Sequence, residues 1–196
     1  MKYLKACLPE AEFVYTSFND VPLFMTEKPD LIYLGAMTEH GQEMVIGKLM
    51  PYKERLRQLI EEDVPMLFTS NAIEVLGKYI ENEDGTRIEC LGLYQFFAKR
   101  DLMHRFNSLV MGTFMDRTSV GFETQFTLAY GEEKAPAFFE VIRGAGMNKV
   151  SKTEGIHDHN LFGTYLVGPF LVLNPYFTLY LMRDVMGIKH ARLAFK

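Results

Sequence analysis

Apolar positions follow two different periods along this chain. EFVYTSF (12–18) mixes β-branched and aromatic residues in short alternation, and LIYLG (31–35) is a short apolar run closed by glycine. Both segments predict strands, the second buried on both faces. FNDVPLFMTEKP between them is turn chemistry. From Met44 to about Glu62 the spacing becomes helical, with Pro51 placed as the first residue of a second helical piece that carries Tyr52, Leu56, Leu59 and Ile60 on one face. VPMLFT (64–69) predicts another apolar strand. In SNAIEVLGKYI, which follows it, Ile73, Leu76, Gly77 and Ile80 fall at helical spacing, and Asn71 with Glu74 has the form of a capping box.

ENEDGTR (81–87) is a charged turn, and beyond it the texture changes. LGLYQFF, FNSLVMGTF, GFETQFTLAY and AFFEVIRG are short, aromatic and punctuated by glycine, as antiparallel strands are. GTYLVGPFLVL (163–173) predicts one last strand and turn before NPYFTLYLMRDVM, a closing helix after Asn174-Pro175. Strands alternating with helices in the first half argue for a largely parallel sheet flanked by helices, with right-handed crossovers. The second half adds antiparallel strands. There is no internal repeat or linker, so residues 1–196 read as a single α/β domain.

Composition narrows the function. The chain has 196 residues, 21 Lys+Arg against 25 Asp+Glu, and a net charge of −4, with 48% apolar and 23% charged residues. A chain of this length buries roughly 70% of its unfolded surface. Mild acidity without a basic run speaks against nucleic acid and against an anionic membrane surface. No apolar run reaches about 18 residues, and the first fifteen residues lack a signal-peptide layout, so a cytoplasmic location is expected. Cys7 and Cys90 are too few for a disulfide framework and read as buried, reduced thiols.

In a doubly wound sheet, ligands sit beyond the carboxyl ends of the strands. That directs attention to Gly35-Ala36-Met37, to Ser70-Asn71 and to Val167-Gly168-Pro169. The turn at Ser70 has the form of a nucleophile elbow, in which backbone N–H groups at the start of the following helix face a developing oxyanion.

The residues from Asp30 to Ile80 and the stretch FGTYLVGPFLVLNP (162–175) resemble class I glutamine amidotransferases of the cobyric acid synthase type. The nearest branch is the stand-alone glutaminase subunit that pairs with a Mur-ligase-like protein in lipid II isoglutaminyl synthase. LGKY (76–79) matches the end of the family's nucleophile motif. Phe162 to Leu166, Gly168 and Pro169 match its histidine motif, and DGTRIECLGLY and VGFE (120–123) match segments between them. The resemblance implies a flavodoxin-like, three-layer fold, a synthetase partner and a glutamine-like ligand, and it requires no cofactor or metal.

Carried over residue by residue, the resemblance places the family's cysteine nucleophile at Ser70, its two following glycines at Asn71 and Ala72, and its glutamine at Glu74. The catalytic histidine falls on Val167, and the glycine-rich oxyanion loop is Gly35-Ala36-Met37. The loop that helps to hold glutamine reads Thr124 to Leu128 without a basic group. Valine removes the general base and acid together, and serine without a base is a poor nucleophile. Ordinary glutaminase turnover is therefore not expected, and a binding or regulatory subunit is the leading reading. The alternative is a hydrolase or amidotransferase with Ser70 as a relocated nucleophile helped by Glu74 or Glu39, which requires an imidazole or carboxylate about 3 Å from Ser70. Against it stands the plainer role of Ser70 and Asn71 in satisfying backbone donors at a helix start.

Other features carry two readings each. His157 and His159 with Asp158 offer metal-ligand types, or simply occupy a solvated loop. His40 either lines the old pocket or lies on the surface at a helix start. The 16 Phe and 12 Met either fill the core or present apolar surface to a partner. MKYLKACL reads as the family's first helix without its preceding strand; either the sequence starts late or the sheet has lost a strand, and a lost strand implies a replacement from a partner or from a second copy of the chain.

Overall fold

Short apolar runs become strands where a neighbouring strand is available to pair with them, and the fold follows from where such neighbours occur. The computed structural model describes residues 2–131 and 134–194. In chain order these form α1 (Lys2–Cys7), β1 (Ile32–Leu34), α2 (Glu39–Leu49), α3 (Lys53–Glu61) and β2 (Met66–Thr69). Next come β3 (Tyr79–Glu81), β4 (Arg87–Glu89), β5 (Phe97–Arg100), β6 (Phe106–Phe114), β7 (Arg117–Gln125) and β8 (Thr127–Tyr130). The chain ends with β9 (Phe139–Arg143), β10 (Thr153–Glu154), β11 (Ile156–Asp158), β12 (Leu161–Thr164), α4 (Phe170–Leu173) and α5 (Pro175–Tyr180).

The fold is α/β, with helices packed on a central sheet of order β1-β2-β12-β11. Its first three strands are parallel, and β11 returns antiparallel to β12. Met66 and Phe68 of β2 face a core formed with Ile46, Leu56, Leu59 and Ile60 of α2 and α3. Leu67 between them faces the opposite core, with Phe162, Phe170, Phe177 and Leu181. This alternation makes the three layers. Two further four-stranded sheets, β10-β9-β6-β7 and β4-β3-β5-β8, are built almost wholly from antiparallel pairs, with β3 and β5 as the parallel exception. Phe114, Phe138, Phe162 and Phe177 join the antiparallel sheet to the central one through rings whose centroids are 5.0–6.2 Å apart. Such ring pairs favour edge-on geometry, which fixes the angle between the layers.

Several sequence expectations need correction. EFVYTSF (12–18) forms no strand. No strand lies beside it among the described residues, and its end folds into a turn in which Ser17 N–H donates to Asp20 and Asn19 N–H to Ser17 Oγ. SNAIEVLGKYI is not an α-helix: Ser70–Leu76 is a 3-10 turn, and Ile80 belongs to β3. All seven residues of that turn are buried, and their backbone groups bond to other segments, with Leu91 N–H donating to Val75 O and Leu93 and Tyr94 N–H to Leu76 O. Those long-range bonds compete successfully with a helical ladder. The capping box is likewise absent, since the Glu74 side chain points into the protein (below). The last strand ends at Thr164, and Phe170–Leu173 is a helical turn rather than strand. Pro51 lies in the 3-10 turn joining α2 to α3, and the closing helix ends in a π-helical turn, Leu181–Val185.

Candidate functional site

The carboxyl ends of β1, β2 and β12 converge, and the loops that follow them line a cleft of about 510 Å³. Ala36 and Met37 come from the loop after β1, Ser70 and Asn71 from the turn after β2, and Val167 from the segment after β12. Five of the six residues singled out from the sequence thus share one cleft. Gly35 stands just behind it, where an added Cβ would meet the Tyr33 hydroxyl at 2.7 Å, and that hydroxyl is 3.2 Å from Thr69 Oγ1. Val167 is held by its N–H to Phe122 O at 2.9 Å. The close approach requires glycine at 121, because a Cβ there would come within 2.5 Å of Leu166.

Ser70 has φ of +59°, the left-handed region that a serine adopts only under strain. Its backbone therefore has the sharp bend of a nucleophile elbow. Its hydroxyl makes no hydrogen bond with any described residue, so neither an imidazole nor a carboxylate activates it. Glu74 and Glu39 do not serve it: Glu39 only lines the cleft, and Glu74 is bound elsewhere. Asn71 does not cap its own turn but bridges two loops. Its Oδ1 accepts from Met37 N–H at 3.1 Å, and its Nδ2 donates to Met37 O at 2.9 Å.

Beneath the elbow lies a buried polar network that sequence patterning did not reveal. Gln42 Nε2 donates to Asn71 O at 2.6 Å and to Glu74 Oε2 at 2.7 Å. Arg100, its side chain almost fully buried, donates to Gln42 Oε1 at 2.9 Å and to Glu43 Oε1 at 2.9 Å. Thr127 Oγ1 contacts the other oxygen of Glu74. Burial pushes the Glu74 carboxyl up to about 7, with Thr127, Gln42 and Arg100 pulling it back. Burial also pushes Glu154 up to about 7 and Glu123 up to about 9, the latter aided by the nearby charge of Glu154.

The loop from Thr124 to Leu128 has no basic group of its own, yet a cation reaches it. The Arg105 guanidinium, from the residue before β6, lies over the Phe126 ring at 4.5 Å, and both residues line the cleft. A cation held over an aromatic face in this way keeps its charge available to a ligand.

The remaining candidates lie elsewhere. His157 is in β11 and not in a solvated loop, and its ring stacks on Phe162 at 4.4 Å; burial lowers its pKa. His159 is exposed and 3.0 Å from Asp63 Oδ1. Among the described residues no group of three His, Cys, Asp or Glu is placed to hold a metal ion. His40 is exposed on the first turn of α2. Cys90 follows β4 rather than lying in a strand, and burial pushes its thiol up to about 12, far from a reactive thiolate. Cys7, the last residue of α1, is buried against Leu4, Leu8 and Met182. No described helix is long and apolar enough to cross a membrane.

A three-layer α/β sheet with a sharp, positive-φ turn after β2 and a cleft at the carboxyl ends of its parallel strands is the architecture of a class I glutamine amidotransferase. The chain belongs to the CobB/CobQ-like glutamine amidotransferase domain family, which it matches over residues 4–175. It is 32% identical over 164 residues to the lipid II isoglutaminyl synthase (glutamine-hydrolyzing) subunit GatD of Staphylococcus aureus, covering 84% of this chain and 67% of that one. It is 27% identical over 147 residues to the subunit of the same name from Streptococcus pneumoniae, covering 74% of this chain and 56% of that one. The chain thus spans between half and two thirds of the length of these relatives.

Proposed function

We propose that this chain is a glutamine amidotransferase-like subunit that lacks glutaminase turnover and serves as a binding or regulatory partner of an amide-forming synthetase, with a Mur-ligase-like protein the partner implied by the resemblance. The reading is carried by the position of Val167, an aliphatic side chain in the same cleft as Ser70 where the family has its histidine. Carboxamide hydrolysis needs a proton acceptor for the nucleophile, donors for the oxyanion and an acid for the leaving ammonia. Ser70 has no such acceptor bonded to it among the described residues. The Met37 N–H, in the family's oxyanion loop, is already spent on Asn71 Oδ1. Loss of positioned acid–base chemistry costs about 10²–10⁴-fold and loss of one oxyanion donor about 10²–10³-fold, so the deficits together remove useful turnover.

That relatives are named as subunits of lipid II isoglutaminyl synthase supports the expectation of a synthetase partner. A cytoplasmic location is part of the same proposal. A core that runs from Phe24 to Tyr165 supports reading the chain as one domain. A second reading, hydrolysis through Ser70, has the strained elbow in its favour. One assay separates the two. Ammonia release from glutamine by the purified chain should not exceed that of Ser70→Ala; release at ordinary enzymatic rates that Ser70→Ala abolishes overturns the non-catalytic reading.

A further inference from the structure

One hydroxyl in the cleft changes its hydrogen-bond role with a neighbouring proton. Gln42 Nε2 can only donate, so Glu74 Oε2 is committed as an acceptor and any proton on Glu74 sits on Oε1, against Thr127 Oγ1. With Glu74 ionised, Thr127 donates inward and offers the cleft only lone pairs. With Glu74 protonated, Oε1 donates to Thr127, and the threonine O–H is released to point into the cleft.

Two other groups in the same cleft lack an acceptor. Gln125 lines it, is 4% exposed, and neither atom of its carboxamide has a hydrogen-bond partner among the described residues. A buried donor without an acceptor is costly, and a ligand oxygen would satisfy it. Arg105 has no carboxylate paired with it among the described residues and is held only by the Phe126 ring. The ionisable groups lining the cleft are Glu39, Glu74 and Arg105, so its charge is zero when Glu74 is neutral and one negative when Glu74 is ionised. Thr38 and Glu39, at the start of the eleven-residue helix α2, line it as well and add the positive end of a helix dipole.

We propose that this cleft is a proton-linked binding site for a small carboxylate, held by Arg105, the Gln125 amide nitrogen and the Thr127 hydroxyl, with Glu74 as the group that takes up the proton. The proposal rests on the cleft binding its ligand rather than hydrolysing it. The groups that face Glu74 are Gln42 and, behind it, Arg100, together with Tyr165 after β12 and the Cys90 thiol. Arg100 is a fixed cation, and burial keeps Tyr165 and Cys90 neutral through the physiological range. Glu74 is therefore the group in this cluster whose charge changes near neutral pH. Glu123 and Glu154 also titrate, but they do not line the cleft and act on stability instead.

Glutarate is the probe, because it has two carboxylates and neither the amide nor the amino group of glutamine. Calorimetric titration of the full chain between pH 6 and pH 8.5 should show affinity falling by about tenfold per unit above pH 7, with proton uptake visible as a buffer-dependent enthalpy. Glu74→Gln places a permanent donor against Thr127 and should bind glutarate with a flat pH profile. Thr127→Val should bind more weakly at pH 6 and show a shallower pH profile, the remaining slope coming from the Glu74 charge, and Arg105→Ala should weaken binding at every pH. Melting midpoints of each free protein at each pH show whether a lost signal is a lost fold. No glutarate binding at millimolar concentration at pH 6, equal affinity at pH 6 and pH 8, or an unchanged pH profile in a folded Glu74→Gln overturns the proposal. Ammonia release from glutamine in the separate assay would remove the non-catalytic reading while leaving the glutarate profile to stand or fall by itself.

Discussion

Glu123 is the residue whose replacement should change stability most informatively. It is fully buried on β7, and neither carboxylate oxygen has a hydrogen-bond partner among the described residues. Burial, reinforced by the charge of Glu154, pushes its pKa from 4.5 up to about 9. As pH rises through 4.5 the unfolded chain releases this proton while the folded chain keeps it until about pH 9, so native stability falls across that interval. At pH 7 the difference amounts to two and a half units, or about 3 kcal/mol at roughly 1.36 kcal/mol per unit, and at pH 5 to only about 1 kcal/mol. Glu123→Gln keeps the shape and stays neutral, so its advantage over the parent should grow by about 2 kcal/mol from pH 5 to pH 7 and continue growing toward pH 9. The cost of burying an unpaired amide is the same at every pH and shifts the whole curve without tilting it. In a chain of this size about 2 kcal/mol corresponds to roughly 4–8 °C, well within reach of thermal melts followed by circular dichroism at pH 5, 6, 7 and 8. Parallel melting curves for parent and variant across that range would refute the reasoning, since they would mean that Glu123 ionises in the folded state as readily as in the unfolded one.

Two further outcomes follow from local geometry. The β6–β7 hairpin turns through Met115 and Asp116, both at positive φ, so Met115→Asn should stabilise the protein by about 1 kcal/mol in urea denaturation, because asparagine adopts that conformation with less strain. Asn71→Ala removes both bonds to Met37 and should cost about 1–3 kcal/mol, with amide hydrogen exchange at Met37 accelerating about tenfold or more; unchanged exchange would mean that the bridge contributes nothing.

The legible parts of the fold were those whose determinants are local. α3 carries its own period after the connecting proline, α2 begins at Glu39, five residues before the pattern read from Met44, and β1 and β2 are short apolar runs that fall within the predicted strand segments. The segment 12–18 has strand-like alternation as well, but alternation becomes a strand only when a partner supplies the ladder. At residues 70–76 the apolar spacing is equally consistent with helix and with complete burial; burial won because the backbone finds its bonds on residues 91–94. Asn71 and Glu74 illustrate the same point within the site. Their spacing suggests mutual capping, while in the structure each bonds to partners 29 or more positions away.

The chain by itself determined its α/β class and its family, because those properties reside in residue identity and short motifs. Only the tertiary structure decided that Asn71 ties up the Met37 N–H, that Arg105 supplies a cation to a loop without one, and that Glu74 sits buried against Thr127. Each of these joins residues distant in sequence through hydrogen bonding, ring contact or desolvation. Such interactions leave no period in the sequence and acquire an energy only when folding excludes water from around them.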